Sequence, residues 1–313
     1  MSEFAREELE RFRPQRDTAL TVGNFDGVHL GHRHLVEYVM RRAQERDLAA
    51  GIVTLYPDPD TVLRPRDSMR YITSLEQRIE LLRRLGLDLV VPLSFTSELA
   101  ELPAAEFVGL LKEQLRLRLL IMGPGHAFGR NREGTPERMA VLGRDLGFDV
   151  EVIPDGLVQK ASLVSSTAIR AALAAGDLEA AERQLGRRYA LRGPVIRGDQ
   201  RGRTLGFPTA NVGVTADRAL PAFGVYATWA YLGEARYASV TNVGLRPTFD
   251  GEKVSVETYI FDFDEDIYDR LLRLEFVKRL RPERKFDSIE AIKAQIVKDA
   301  AEARALLAAE AVA

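Results

Sequence analysis

The chain has 313 residues, of which 46% are hydrophobic and 29% charged, with a formal net charge of -2 and no cysteine. That length accommodates two domains of ~150 residues each with a real core; the near-neutral balance excludes a dedicated basic nucleic-acid binder, and the lack of thiols excludes a disulfide framework or thiolate metal site. No apolar run approaches the ~18 residues of a membrane span, and the charged residues 1–17 lack the apolar core of a signal peptide, so the expected location is cytoplasmic.

The first predicted element is an apolar strand over 19–22, followed by Gly23-Asn24-Phe25-Asp26-Gly27-Val28-His29-Leu30-Gly31-His32-Arg33-His34, which holds three of the four histidines. A helical pattern with Leu35, Val39 and Ala43 on one face comes next, so the histidines fall at a strand-to-helix turn. Further strands are expected over 50–55, 88–93, 119–122 and 149–153, with helices between them. Ser74-Leu75-Glu76-Gln77 reads as a capping box ahead of Ile79, Leu82 and Leu85. This βαβα rhythm predicts an α/β fold with a mostly parallel sheet and helices on both faces. Two short helices over 167–175 and 178–185 close the first half, and the change of period places domains at 1–186 and 187–313. Beyond the boundary, Val254, Val256 and Thr258, and then Leu272, Leu274 and Phe276, alternate with their neighbours as in an antiparallel sheet or small barrel. A final helix is expected over 288–309, with Ile289, Ile292, Ile296 and Ala300 at helical spacing.

Imidazoles at His29 and His32, on the opening turn of a helix, can both reach a phosphate held at that helix N-terminus and stabilise charge growing on it. Gly23, Gly27 and Gly31 let the backbone approach a ligand. A surface pair, a buried hydrogen-bond donor or a zinc site are alternatives; zinc would need a third ligand from His34, His126 or a carboxylate. Ser165-Ser166-Thr167 with Arg170 puts hydroxyls, unpaired backbone N–H groups and a guanidinium at another helix start, where an ordinary N-cap is the plainer reading. The Gly-rich, basic string from Gly198 to Pro208-Thr209-Ala210-Asn211 has no Gly-Lys-Ser/Thr and is not a Walker loop. Its plain reading is a turn-rich hairpin, and that of Glu257 a solvent-facing strand residue.

Taken together, Gly23-x-Phe25-Asp26-Gly27-x-His29-x-Gly31-His32 resembles the nucleotidylyltransferase signature, in the form of the N-terminal module of prokaryotic bifunctional riboflavin kinase/FAD synthetases. The resemblance implies that His29 and His32 contact ATP phosphates during adenylyl transfer, with Gly23, Asn24, Phe25, Asp26 and Gly31 shaping the nucleotide pocket. Ser165-Ser166-Thr167-x-Ile169-Arg170 resembles the family's downstream phosphate-binding sequence and implicates Ser166, Thr167 and Arg170. Pro208-Thr209-Ala210-Asn211 after the loop of Gly198 is similar to the riboflavin kinase marker. It implies nucleotide binding there, with Thr209 and Asn211 holding Mg-ATP; a hydroxyl and an amide oxygen suit that hard cation. Val256-Glu257-Thr258-Tyr259 resembles the strand bearing the catalytic base, which a ribityl hydroxyl needs before it can attack. Stretches 221–226, 239–249 and 285–288 extend the likeness, which runs from about 19 to 299. The implied protein has an N-terminal Rossmann-like nucleotidylyltransferase domain and a C-terminal antiparallel β-barrel kinase domain with a terminal helix. It would phosphorylate riboflavin to FMN and adenylylate FMN to FAD, with ATP as co-substrate of both steps, Mg2+ as cofactor, and neither nucleic acid nor membrane as partner.

Two strings depart from the family's pattern. Gly-x-Asp/Asn-Phe-x-Phe-Gly stands here as Gly123-Pro124-Gly125-His126-Ala127-Phe128-Gly129, and Pro-His-Pro as Pro57-Asp58-Pro59. They leave as alternatives a riboflavin kinase with a degenerate first domain and a non-catalytic flavin or nucleotide regulator. The intact Glu257, Thr209 and Asn211 argue against the second.

Overall fold

The computed structural model describes the backbone of residues 3–64, 69–154, 156, 164–198, 202, 206–248 and 251–312, and the side chains of these except 246–248, 251–253 and 311–312. Of the motif strings, residues 199–201, 203–205 and Phe249 lie outside the described residues. Contacts divide the chain into two compact units, Met1–Ser166 and Thr167–Ala313.

In the first unit the elements run α1 (Glu3–Glu10), β1 (Thr18–Gly23), α2 (Leu30–Glu45), β2 (Ala49–Tyr56), α3 (Pro59–Leu63), α4 (Leu75–Arg84) and β3 (Leu89–Ser94). They continue with α5 (Ser97–Ala100), α6 (Ala104–Leu115), β4 (Leu117–Met122), α7 (Pro136–Leu146) and β5 (Asp149–Val152). The five strands form one sheet in the order β3-β2-β1-β4-β5, every pair parallel. The central strands read as nearly unbroken apolar runs because both their faces are covered. Leu20, Val22, Val53, Leu120 and Met122 pack on one side with Ala5 and Leu9 of α1 and Phe107 and Leu111 of α6. Ala19, Ile52, Leu119 and Ile121 pack on the other with Val36 and Val39 of α2 and Leu82 of α4. The Ser74 capping box that opens α4 is formed in both directions. Strand order reverses between β1 and β4, so the crevice beyond their carboxyl ends is the topological switch point, where ligands bind in open α/β sheets. The turn carrying His29 follows β1, and the loop carrying His126 follows β4.

Helix α8 (Ser166–Ala175) begins on the last residue of the first unit and is followed by α9 (Leu178–Leu185). The strands β6 (Ala190–Ile196), β7 (Ala210–Val212), β8 (Gly224–Leu232), β9 (Ala235–Thr248), β10 (Gly251–Ile260) and β11 (Leu271–Pro282) come next, and α10 (Ile289–Val312) is last. The six strands close an antiparallel barrel in the order β10-β7-β6-β11-β8-β9. Val225, Ala227 and Trp229 of β8 pack under Ala303 and Leu307 of α10. Within the barrel the hydroxyls of Ser239, Thr228, Thr241 and Thr258, all fully buried, form a chain at 2.7, 2.7 and 2.9 Å that satisfies each buried polar group.

Candidate active sites

The turn after β1 is tightly wound. Phe25 and Val28 have φ of 58° and 42°, and Gly27 has φ of 82°. Left-handed backbone at a β-branched valine is strained and persists only where the surroundings hold it. Asp26 is buried, and its carboxylate accepts the backbone N–H groups of Ile72 and Thr73, both at 3.1 Å. The Thr73 hydroxyl in turn accepts the Gly27 N–H at 3.0 Å, and the Ser166 hydroxyl donates to the Asp26 carbonyl at 2.9 Å. Gly23 ends β1, where a Cβ would lie 3.0 Å from the Phe25 ring.

His29 is the N-cap of α2, and its Nδ1 accepts the His32 backbone N–H at 3.3 Å. An acceptor Nδ1 leaves the ring proton on Nε2, which can then donate to a phosphate oxygen. The His29 and His32 rings stack with centroids 3.6 Å apart and planes 18° from parallel, and Phe25 lies 5.1 Å from His32. Gly31, buried in the first turn of α2, keeps that approach free of a side chain. Two stacked imidazoles thus stand at a helix N-terminus on a switch point, the kind of place where anions are held. His34 pairs with Glu37 at 3.5 Å, one turn along the same helix. Thr167 and Arg170 sit on α8, where the Arg170 guanidinium donates to the Thr167 hydroxyl at 3.5 Å; contacts group both with the second unit.

Both departures from the family pattern have a local account. Asp58 is buried, caps α3 by accepting the Asp60 N–H at 2.8 Å, and accepts a hydrogen bond from the Asn24 side-chain amide. In the loop after β4, a Cβ built on Gly125 would meet nothing within 4 Å, and the His126 ring packs 5.2 Å from that of Phe128. Burial, and secondarily the Arg132 charge, push the His126 imidazole below its ordinary value of 6.5. Below about pH 6.5 the unfolded chain therefore takes up a proton that folded His126 does not, and stability is lost as pH falls toward the lowered folded value. Thermal unfolding at pH 7.5 and 5.5 checks this: the drop on acidification is expected to shrink in His126→Phe.

In the second unit, Gly198 and Gly202 are where backbone closes on the candidate side chains of Asn211 and Thr209. A Cβ on Gly198 would fall 2.4 Å from the Asn211 amide nitrogen and 2.9 Å from its oxygen, and one on Gly202 would fall 2.9 Å from the Thr209 hydroxyl. Asn211 of β7 and Asn242 of β9 both stand opposite Glu257 of β10, so three polar residues form a cross-strand row. Glu257 is half-buried, and its carboxylate accepts the Ser255 hydroxyl at 2.8 Å. Two cavities flank this row. One of about 500 Å³ is bordered by Pro208, Thr209, Ala210, Ile260, Asp266 and Tyr268. The other, of about 290 Å³, is bordered by Phe207, Thr209, Asn242, Glu257, Tyr259 and Phe286. Thr209 belongs to both walls. Arg281 of β11 and Asp299 of α10, also on the second wall, are joined by bonds of 2.8 and 3.0 Å that fasten the helix to the barrel.

Comparison with known proteins finds matches to both halves of the chain. A riboflavin kinase family model matches residues 185–307 and an FAD synthetase model matches residues 12–168. Proteins named bifunctional riboflavin kinase/FMN adenylyltransferase align along nearly the whole chain. The one from Listeria monocytogenes is 35% identical over 92% of each chain, that of Escherichia coli K12 36% over 93% of each, and that of Pseudomonas fluorescens 38% over 96% of each. A solved structure described as a macrolide-efflux protein from Streptococcus pneumoniae superposes with a TM-score of 0.81 at 29% identity, covering 95% of this chain and 97% of that one. Efflux is that protein's description; among the described residues here, no helix is long and apolar enough to cross a membrane. With matches of this identity and coverage on both halves, the chain belongs to the bifunctional riboflavin kinase/FMN adenylyltransferase family.

Proposed function

We propose that the chain converts riboflavin to FMN in its C-terminal half and FMN to FAD in its N-terminal half, with ATP consumed in both steps. The activities are assigned to 1–186 and 187–313, a division supported by the FAD synthetase match ending at 168 and the kinase match beginning at 185.

The kinase half rests on one observation: Thr209 lies on the wall shared by two cavities, and Glu257 borders one of them. ATP is assigned to the larger cavity and riboflavin to the smaller, which Phe207, Tyr259 and Phe286 border beside Glu257. Glu257 accepts the proton of the ribityl 5′-hydroxyl, that oxygen bonds to the γ-phosphorus, and the bond to ADP breaks. Mg2+ fits this place, because the cradles at Gly198 and Gly202 present the neutral oxygens of Asn211 and Thr209, the donor type of a cation that keeps several waters. When bound, it would neutralise charge on the phosphates. Asn211 and Thr209 hold the nucleotide end of the reaction in line with the flavin.

At the turn of the first unit, an FMN phosphate oxygen attacks the α-phosphorus of ATP and pyrophosphate leaves, with no covalent enzyme intermediate. His29 and His32 donate to the phosphate oxygens as charge grows. Gly23, Asn24, Phe25, Asp26 and Gly31 set the turn, and the Ser166 hydroxyl, first in the second phosphate-binding sequence that runs on through Thr167 and Arg170, donates into it. ATP use in both steps suits a cytoplasmic enzyme. The test is to incubate the protein with riboflavin, ATP and magnesium and separate the flavins: FAD is expected. FMN alone would leave a kinase with an inactive first domain, and unchanged riboflavin would leave a binding protein.

A further inference from the structure

Arg78 of α4 is a charged residue where the helix pattern calls for an apolar one, four positions before Leu82, and both are fully buried. Its guanidinium does not reach water. One terminal nitrogen contacts the Asn24 carbonyl at 2.7 Å, the Asn24 side-chain oxygen at 2.8 Å, the Leu55 carbonyl at 3.2 Å and the Thr54 hydroxyl at 3.4 Å. The other lies 3.7 Å from the Asp26 carboxylate. The rings of Tyr56 and Tyr71 flank it, with centroids 5.7 and 5.8 Å from the guanidinium carbon.

Desolvating a guanidinium is costly, and a methionine or leucine would fill that helix face without the cost. What the charge secures is the turn. The Asn24 side-chain amide is gripped at both ends, its oxygen by Arg78 and its nitrogen by Asp58. Asp58 is anchored further by its own N–H, which donates to the Tyr71 hydroxyl at 2.8 Å. Asn24 and Asp26 bracket Phe25, the first left-handed residue of the turn that ends at His29. A lysine cannot reproduce these contacts, since one ammonium could replace the nitrogen bound to Asn24 but not also the second nitrogen, which makes no hydrogen bond among the described residues and lies 3.7 Å from the Asp26 carboxylate.

We propose that Arg78 is a positioning residue for adenylyl transfer: through Asn24 and Asp26 it holds the strained turn so that His29 and His32 meet the phosphates in their reactive geometry. This rests on the reading of that turn as the nucleotide site. The experiment uses the full chain and measures FMN adenylylation and riboflavin phosphorylation separately, with thermal unfolding recorded for each variant. Wild-type FAD formation tests the reading itself; if it occurs, the variants test Arg78.

Arg78→Lys is expected to lower kcat for adenylylation about 30-fold while KM for ATP rises no more than about threefold, with kinase turnover unchanged; misplacing catalytic groups costs rate more than ground-state binding. Asn24→Ala is expected to produce a fall of similar size. The double variant should lose little beyond either single one, because the two act as one unit. A folded Arg78→Lys protein with near-wild-type kcat, or losses that simply multiply, would overturn the proposal. If Arg78→Lys does not fold, Asn24→Ala and Asp58→Asn decide it from the other side of the clamp: at least a tenfold fall in kcat sustains it, and unchanged kcat overturns it.

Discussion

Replacing Glu257 with glutamine is expected to cut riboflavin phosphorylation about 1,000-fold, within the 10²- to 10⁴-fold range of a positioned general base. The substitution keeps size and shape, so the row from Asn211 through position 257 to Asn242 stays in register. It removes the one property the chemistry needs, an oxygen that can accept and keep a proton. KM for riboflavin and ATP should therefore stay near the wild-type values, since an interaction made mainly in the transition state appears in kcat. Supplied with FMN, the same variant should make FAD at the wild-type rate, because the histidine turn is built in the other unit. Steady-state rates of the two half-reactions check this, and kinase turnover within a few-fold of wild type would remove Glu257 from the mechanism.

The parallel sheet was legible because its central strands are apolar on both faces and its helices are striped; observed ends differ from the expected ones by one or two residues. The barrel was legible only where one face is polar, as in β10 and β11. Strand β8 escapes that test. Nearly all its residues are buried, since the barrel interior covers one face and α10 the other, so its sequence shows no alternation. The three-residue β7 is too short to carry a period, although its Asn211 was marked by its motif. The candidate histidines and Glu257 were legible as strings because a turn and a strand hold them locally. Arg78 was not, for its partner Asn24 lies 54 residues away and only the fold of the sheet brings them together. A charged residue in register with Leu82 was the available signal, and it points to a buried partner without naming one. The cross-strand placing of Asn242 beside Glu257 was equally beyond the strings, since it depends on barrel register.

The double variant His29→Ala/His32→Ala is expected to lose FAD formation by at least ~10³-fold while riboflavin is still converted to FMN. Removing one preorganised donor from a developing oxyanion typically costs ~10²- to 10³-fold. The two imidazoles here are not independent donors. The rings stack at 3.6 Å, so each orients the other. Their contributions should therefore fail to multiply: each single variant is expected to lose most of what the double variant loses. With His29 Nδ1 taken up by the His32 backbone N–H, the ring reaches a phosphate oxygen through its Nε2 proton, as a neutral donor. A pair arranged in this way should hold ATP more firmly as negative charge accumulates on the reacting phosphate, which is the differential binding that catalysis requires. Flavin products separated after incubation of the double variant with riboflavin and ATP decide the matter. FMN accumulating without FAD places the histidines in the second step alone, and equal loss of both products would refute that division of labour.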